Sequence, residues 1–430
     1  MPTTTINYWR QLDLFSPYIW KKPIIILGGS EIADRLAWIL AKMGCGDLTV
    51  YDDTASDVRH GLGGTGDGRK NVFALADFIE RSTGVRINAV PEEFEAGKIL
   101  YGVVFLTDGV SNRDEIWKRS LRYKIAPELL VEIRPQENGF YLYALVPAEP
   151  AHTIVYDQLI APILEVSVKD LKYSPALSQE IAGAAAHLVI DYAAKKLFPD
   201  FTSDPFVFGA EDWKLADISL PDDFQMPITI IGAGAVGSHV GGLLGGMNCR
   251  DITVYDDDIV EAHNIPNQIF GPEDVKKTKV QALASFLEMY NGVTINAICG
   301  KFTAGMPLRG IVFSLVDSID TRKEIFESAM RQRAEGSGPK SLFDGRMLID
   351  SGYGYAIDLE DPEQVKGYEQ TFFSSGNAVS HACTNHAIAT TVAFISGMLV
   401  RTMAKTVNKT DFTNKTTVSM SPLALTRSSF

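Results

Sequence analysis

The chain is 430 residues long, 46% apolar, and carries a formal net charge of −13. That length accommodates two domains of about 200 residues each, and an acidic balance with no basic stripe argues against a nucleic acid or a membrane surface as partner. Cys45, Cys249, Cys299 and Cys383 form neither a C-x-x-C pair nor a disulfide-like spacing, so no structural zinc and a reducing compartment are expected.

The opening M-P-T-T-T-I-N-Y-W-R-Q has no apolar signal core and no run approaches a membrane span, so a cytoplasmic location is expected. An apolar strand at 24–27, I-I-I-L, runs into a turn, a helix and a second strand, L-T-V-Y, that ends in aspartate. The same succession returns at 228–257. At a constant offset, residues 24–53 and 228–257 share 12 of 30 positions, including the unbroken T-V-Y-D-D at Thr49–Asp53 and Thr253–Asp257. Downstream, A-L-A-D-F-I (74–79) mirrors A-L-A-S-F-L (282–287), and G-V-V-F (102–105) mirrors G-I-V-F (310–313).

Strands alternating with helices mean βαβ units and parallel sheets, and a repeat this long means a duplicated domain. The expected fold class is therefore α/β, with two tandem Rossmann-like domains, 1–204 and 205–430, forming an intramolecular pseudo-dimer. A polar, turn-rich linker is expected near 200–224 and a flexible stretch at 334–340. A long apolar helix is expected over 384–404, with the tail as an edge strand or an ordered extension.

Only the second copy keeps a glycine loop, G-A-G-A-V-G, with Gly232, Gly234 and Gly237 between a strand and a helix. Such glycines permit a tight turn and close approach of phosphates to helix N–H groups. Asp256 follows at a strand end, where a carboxylate can accept hydrogen bonds from a ribose. To this point a nicotinamide dehydrogenase fits equally well.

The stretch Asp256–Lys279, D-D-D-I-V-E-A-H-N-I-P-N-Q-I-F-G-P-E-D-V-K-K-T-K, breaks the tie. It resembles the D-x-D-x-V-x-x-x-N-x-x-R-Q…V-G-x-x-K signature of ubiquitin-activating and ThiF/MoeB-type adenylyltransferases. V-D-S-I-D-T-R (Val316–Arg322) is similar to that family's L-D-N-x-x-x-R, and Y-W-R-Q (Tyr8–Gln11) to its Y-x-R-Q opening. The resemblance implies ATP and Mg²⁺ as cofactors. It assigns Asp256, beside Asp258, to the ribose, Asn264, Gln268 and Lys279 to the phosphates, Asp317 to magnesium, and Arg10 to the terminal phosphates. Attack of a carboxylate on the α-phosphate joins two anions, so cations, N–H donors and a metal have a reason to gather there. Where the family has arginine before glutamine, this chain has Asn267, so one phosphate contact is expected to be lost or supplied elsewhere.

In the first copy Ser30 and Ala33 stand where Gly234 and Gly237 do, and Asn71 stands for Lys279. A side chain at either loop position obstructs phosphate approach or helix packing. That half is expected to be nucleotide-dead, although Asp52, Asp108 and Arg113 persist. Cys45, Cys249 and Cys299 are expected to be structural. Cys383, in S-H-A-C-T-N-H ahead of the long helix, resembles the thioester cysteine of activating enzymes that have no separate cysteine domain, where a helix N-terminus would favour the thiolate.

The implied activity is adenylation of the C-terminal glycine of a ubiquitin-like or sulfur-carrier protein, followed by a thioester and a conjugating enzyme as partner. The alternatives are adenylation for sulfur transfer or peptide maturation without that relay, and a non-catalytic scaffold that binds a ubiquitin-like protein.

Overall fold

A computed structural model of the protein describes residues 5–54, 62, 70–95, 98–107, 110, 113–122, 126–136, 139–160, 174–197, 206–210, 218–372, 387–410 and 413–430. It is α/β with two mostly parallel sheets. Contacts divide the chain into two compact units. One comprises Leu12–Tyr173 and Ile181–Ala216, the other Met1–Gln11, Ser174–Glu180 and Asp217–Phe430. Two short segments that the sequence assigns to its first half thus cluster with the second.

The first sheet is built from β1 (Ile24–Leu27), α1 (Glu31–Lys42), β2 (Leu48–Tyr51), α2 (Asn71–Thr83), β3 (Asn88–Val90), β4 (Val103–Leu106), α3 (Arg113–Arg122), β5 (Leu129–Gln136), β6 (Gly139–Leu145), α4 (Pro150–Val155), α5 (Pro175–Ala193) and β7 (Phe206–Ala210). Its strand order is β3-β2-β1-β4-β5-β6-β7, parallel as far as β5 and antiparallel beyond. β1 is apolar and buried at all four positions because a central parallel strand is covered on both faces.

The second sheet repeats the plan with β8 (Ile228–Ile231), α6 (Ala235–Gly246), β9 (Ile252–Asp256), α7 (Lys279–Asn291), β10 (Asn296–Cys299), β11 (Ile311–Ser314), α8 (Ile319–Ala334), β12 (Ser341–Met347) and β13 (Ser351–Asp358). It continues with α9 (Pro362–Glu369), α10 (Ala389–Asn408), β14 (Lys415–Met420) and β15 (Leu423–Ser428). The first seven strands of the order β10-β9-β8-β11-β12-β13-β14-β15 match the seven of the first sheet, β15 being an addition at the edge, and the register at the centre matches as well. Ile24 faces Leu48 and Val103, while Ile228 faces Ile252 and Ile311.

Two sequence expectations, a linker over 200–224 and a structural Cys299, are corrected, and others are given their bounds. β7 lies inside the stretch read as a linker. Its apolar F-V-F segment pairs with β6, and Phe208 packs 5.9 Å from Phe140, a contact hidden in the sequence by polar flanks. Residues 334–340 form a turn from α8 to β12, in which Arg333 Nη1 donates to Pro339 O (2.7 Å). The long helix expected over 384–404 is α10, with extended Ile388 as its N-cap, and residues 384–386 of that expectation lie outside the described residues. Cys299 is exposed at the end of edge strand β10, whereas Cys45 and Cys249 are buried. Burial pushes the Cys45 thiol far up and that of Cys249 up to about 12. The tail forms the β14–β15 hairpin at the sheet edge. No described helix is long and apolar enough to cross a membrane.

The first unit holds a buried carboxylate pair, Asp34 in the first turn of α1 and Asp52 after β2. Asn71 Nδ2 donates to Asp52 Oδ2 (3.1 Å) and Asp34 Oδ2 (3.4 Å). Burial, then the charge of Asp52, raises the Asp34 pKa well above the carboxylate range. A carboxyl whose folded pKa is raised costs nothing below its unfolded pKa of about 3.9 and costs increasingly as pH rises through the folded value. Asp34→Asn should therefore raise the unfolding midpoint at pH 7, with a gain that shrinks as pH falls towards about 4 and is absent below it. A pH-independent gain, or a loss at pH 7, would contradict this electrostatic account.

Candidate functional site

Three glycines after β8 do three different jobs. Gly232 has φ +96°, and a Cβ there would lie 2.6 Å from Leu315 O, so only glycine lets the chain turn this close to the end of β11. Gly237, in the first turn of α6, would place a Cβ 1.8 Å from Gly232 O. Gly234 is the N-cap of α6 and offers no capping side chain, and a Cβ on it would point into open space. The first N–H groups of α6 are thereby left to a ligand. In the first unit Ser30 caps α1 with its own hydroxyl, which accepts from Ala33 N (3.2 Å) and takes up a donor that a phosphate would need.

A cleft of about 670 Å³ opens at the carboxyl ends of β8, β9, β10 and β11. Of the sequence-derived candidates, Arg10, Gly232, Gly234, Asp256, Asp258, Asn264, Gln268, Lys279 and Asp317 all line it. Gly237 stands behind them in α6. Cys383 and Asp108 lie outside the described residues.

Asp256 ends β9 and fastens the glycine loop. Its Oδ2 accepts from Ala233 N (2.6 Å) and its Oδ1 from Asp258 N (2.9 Å). Burial raises its pKa, against the pull of Lys279 and of these two N–H groups. Each oxygen keeps a further lone pair for a hydroxyl donor.

Lys279 opens α7, whose N-cap Thr278 accepts from Gln281 N. Its Nζ lies 2.6 Å from Asp258 Oδ2, with the lysine buried and the aspartate 65% exposed. Asp258 is thus the counterion of Lys279 here, in addition to lining the cleft. Asn264 belongs to a short 3-10 turn (Ala262–Asn264), and its Oδ1 accepts from Glu261 N (2.8 Å). Buried Gln268 has an Oε1 with no hydrogen-bond partner among the described residues, and the same holds for Arg10 Nε. Burial lowers the Arg10 pKa, opposed by Glu261.

Asn267 does not line the cleft. It is fully buried, and its amide donates to Ala387 O (3.3 Å). Asp317 is exposed and does not cap α8, because Ser318 Oγ accepts from Thr321 N (3.2 Å). Among the described residues no cluster of three His, Cys, Asp or Glu could cage a metal. A strand-end carboxylate lining the cleft nevertheless fits Mg²⁺, which is commonly held by one or two carboxylates together with substrate phosphates.

Sequence reasoning passed over Lys301, Phe302 and His263, which also line the cleft. The first two follow β10 directly, and the signal available was their position at the carboxyl end of a parallel strand. It also left Arg322 without a role. That buried guanidinium donates to Ser314 O (3.1 Å) and Gly345 O (3.0 Å) and pairs with Asp344, tying the ends of β11 and β12 together behind Val316–Ser318. Arg113 does the same in the first unit, donating to Leu106 O (3.2 Å) and Ile133 O (3.3 Å), which explains its persistence there.

A glycine turn between a central parallel strand and an open helix N-terminus, with a carboxylate at the next strand end, is the arrangement of a Rossmann-like unit. Residues 223–429 match the model of the ThiF family. No curated protein matches the chain.

Proposed function

We propose that the protein is an ATP-dependent adenylyltransferase that activates the C-terminal carboxylate of a ubiquitin-like or sulfur-carrier protein. ThiF family proteins are generally adenylyltransferases, and the observation that carries the reading is the convergence of Arg10, Lys279, Gln268, Asp317 and the uncapped start of α6 on one cleft in such a domain. The ribose sits at Asp256. The triphosphate lies over the N-terminus of α6 towards Lys279 and Arg10. A carboxylate oxygen of the carrier attacks the α-phosphorus, the bond from that phosphorus to the bridging β-oxygen breaks, and pyrophosphate leaves. Magnesium held through Asp317 would supply charge neutralisation at the phosphates. Lys279, released from Asp258, and Arg10 offset the charge that remains.

Within this reading the two halves of the chain form a pseudo-dimer, and the first does not use nucleotide. The Ser30 cap and the Asp34–Asp52 carboxylates, which repel phosphate, support that assignment. A second step, attack of the Cys383 thiolate on the acyl carbon with release of AMP, rests on the resemblance of the S-H-A-C-T-N-H segment. Without it the chemistry ends at the adenylate, as in sulfur transfer or peptide maturation.

The test is ATP–pyrophosphate exchange with carrier proteins that end in Gly-Gly. Arg10 lines the phosphate side of the cleft from the N-terminal segment, and a charge-assisted contact to phosphate is worth about 1.5–3 kcal/mol. Arg10→Ala should therefore slow exchange about ten-fold to a hundred-fold. Absence of exchange in the wild type with every carrier would favour the scaffold instead, and an unaffected Arg10→Ala would remove that residue from the site.

A further inference from the structure

We propose that His263 is a phosphate-binding residue of this cleft and that it takes up a proton when nucleotide binds, so that ATP affinity is coupled to pH. This rests on the cleft being an ATP site.

The groups around His263 carry the argument. It sits in the 3-10 turn between Glu261 and Asn264, and its ring lines the cleft together with Arg10 and Lys279. One edge of the ring faces Glu261, with Nε2 3.4 Å from Oε2, and the Trp9 ring of the N-terminal turn lies 6.1 Å away. The fixed charges facing it come from three elements: Glu261 on its own turn, Arg10 on the N-terminal turn, and Lys279 on α7 with its counterion Asp258.

These fixed charges nearly cancel. Lys279 is neutralised by Asp258, and Arg10 interacts with Glu261, so two cations meet two carboxylates. A triphosphate brings several negative charges into such a site and needs more positive charge than remains. Among the described residues that line the cleft, His263 is the one whose side chain ordinarily changes charge near neutral pH. In the nucleotide-free protein burial, then Arg10, hold its pKa below the ordinary histidine value, with Lys279 acting in the same direction and Glu261 against them. The imidazole is therefore neutral at pH 7. Phosphates arriving beside Arg10 and Lys279 reverse the sign of the local potential, which favours the imidazolium and a charge-assisted hydrogen bond to a phosphate oxygen. Asn267, buried and bonded to Ala387 O, cannot supply that contact.

The experiment is titration calorimetry of the full chain with MgATP from pH 6 to pH 8, in buffers of different ionisation enthalpy, with His263→Ala and the neutral, polar His263→Gln alongside. Wild type should take up part of a proton on binding and lose about ten-fold in affinity as pH rises across that range. Either variant that melts like wild type should show neither effect, with affinity at pH 6 lowered about ten-fold. Wild type binding ATP without proton uptake would overturn the assignment, as would variants that keep both the uptake and the affinity, and in both cases the ATP reading would stand. Wild type that binds no ATP would overturn both.

Discussion

Asp317→Ala should abolish detectable ATP–pyrophosphate exchange, a loss of at least about a hundred-fold, while leaving the unfolding midpoint unchanged. The carboxylate is exposed, lines the cleft, and leaves the capping of α8 to Ser318. Among the described residues it accepts no hydrogen bond whose loss would cost stability, and surface substitutions of that kind stay within about 0.5 kcal/mol. Its proposed value lies wholly in holding Mg²⁺ against the phosphates as charge develops at the departing oxygen. Asp52→Ala, at the strand end of the first unit that corresponds to Asp256, should leave exchange near the wild-type rate. Exchange at full rate in Asp317→Ala would remove the metal assignment.

Arg401→Met should destabilise the unit that contains the cleft by about 3–5 kcal/mol, because it strips a cation from a fully buried carboxylate. Glu180, in the short segment Ser174–Glu180 that clusters with this unit, receives Arg401 Nε (2.7 Å) and Nη2 (3.1 Å), with both side chains at most 2% exposed. Gly397 allows the approach, since a Cβ there would meet Ala176 O at 2.5 Å, and Gln179 donates to Ser396 Oγ (2.9 Å) beside it. For a unit of this size such a loss lowers the unfolding midpoint by about 6–20 °C. Pairing the change with Glu180→Gln should restore most of it, because replacing both charges removes the desolvation cost that one alone incurs. If Arg401→Met melts within about a degree of wild type, the pair does not anchor the segment.

Much of the architecture was legible because its signals are local. An apolar run buried on both faces, a turn that only glycine fits, and an aspartate at the next strand end fall within one βαβ unit, where covalent connectivity brings them together. The duplication was legible for the same reason: Ile24/Ile228 and the two T-V-Y-D-D runs occupy equivalent central strands in two sheets of matching order. β7 is hidden in the sequence because an antiparallel edge strand needs only a few apolar residues, and F-V-F lies among polar neighbours.

By itself the sequence determined the class of fold, the repeat, the glycine turn and the order of charged residues along the second copy, since each depends on neighbours in the chain and on period. Only the tertiary structure decided which distant groups share a space. It gathers Arg10 with Lys279 and His263, sends Asn267 to Ala387 rather than to the cleft, makes Asp258 the counterion of Lys279, and seats Glu180 on Arg401. The physical reason is that charge pairing and burial act through distance in space, which spacing along the chain does not encode once it spans more than one βαβ unit.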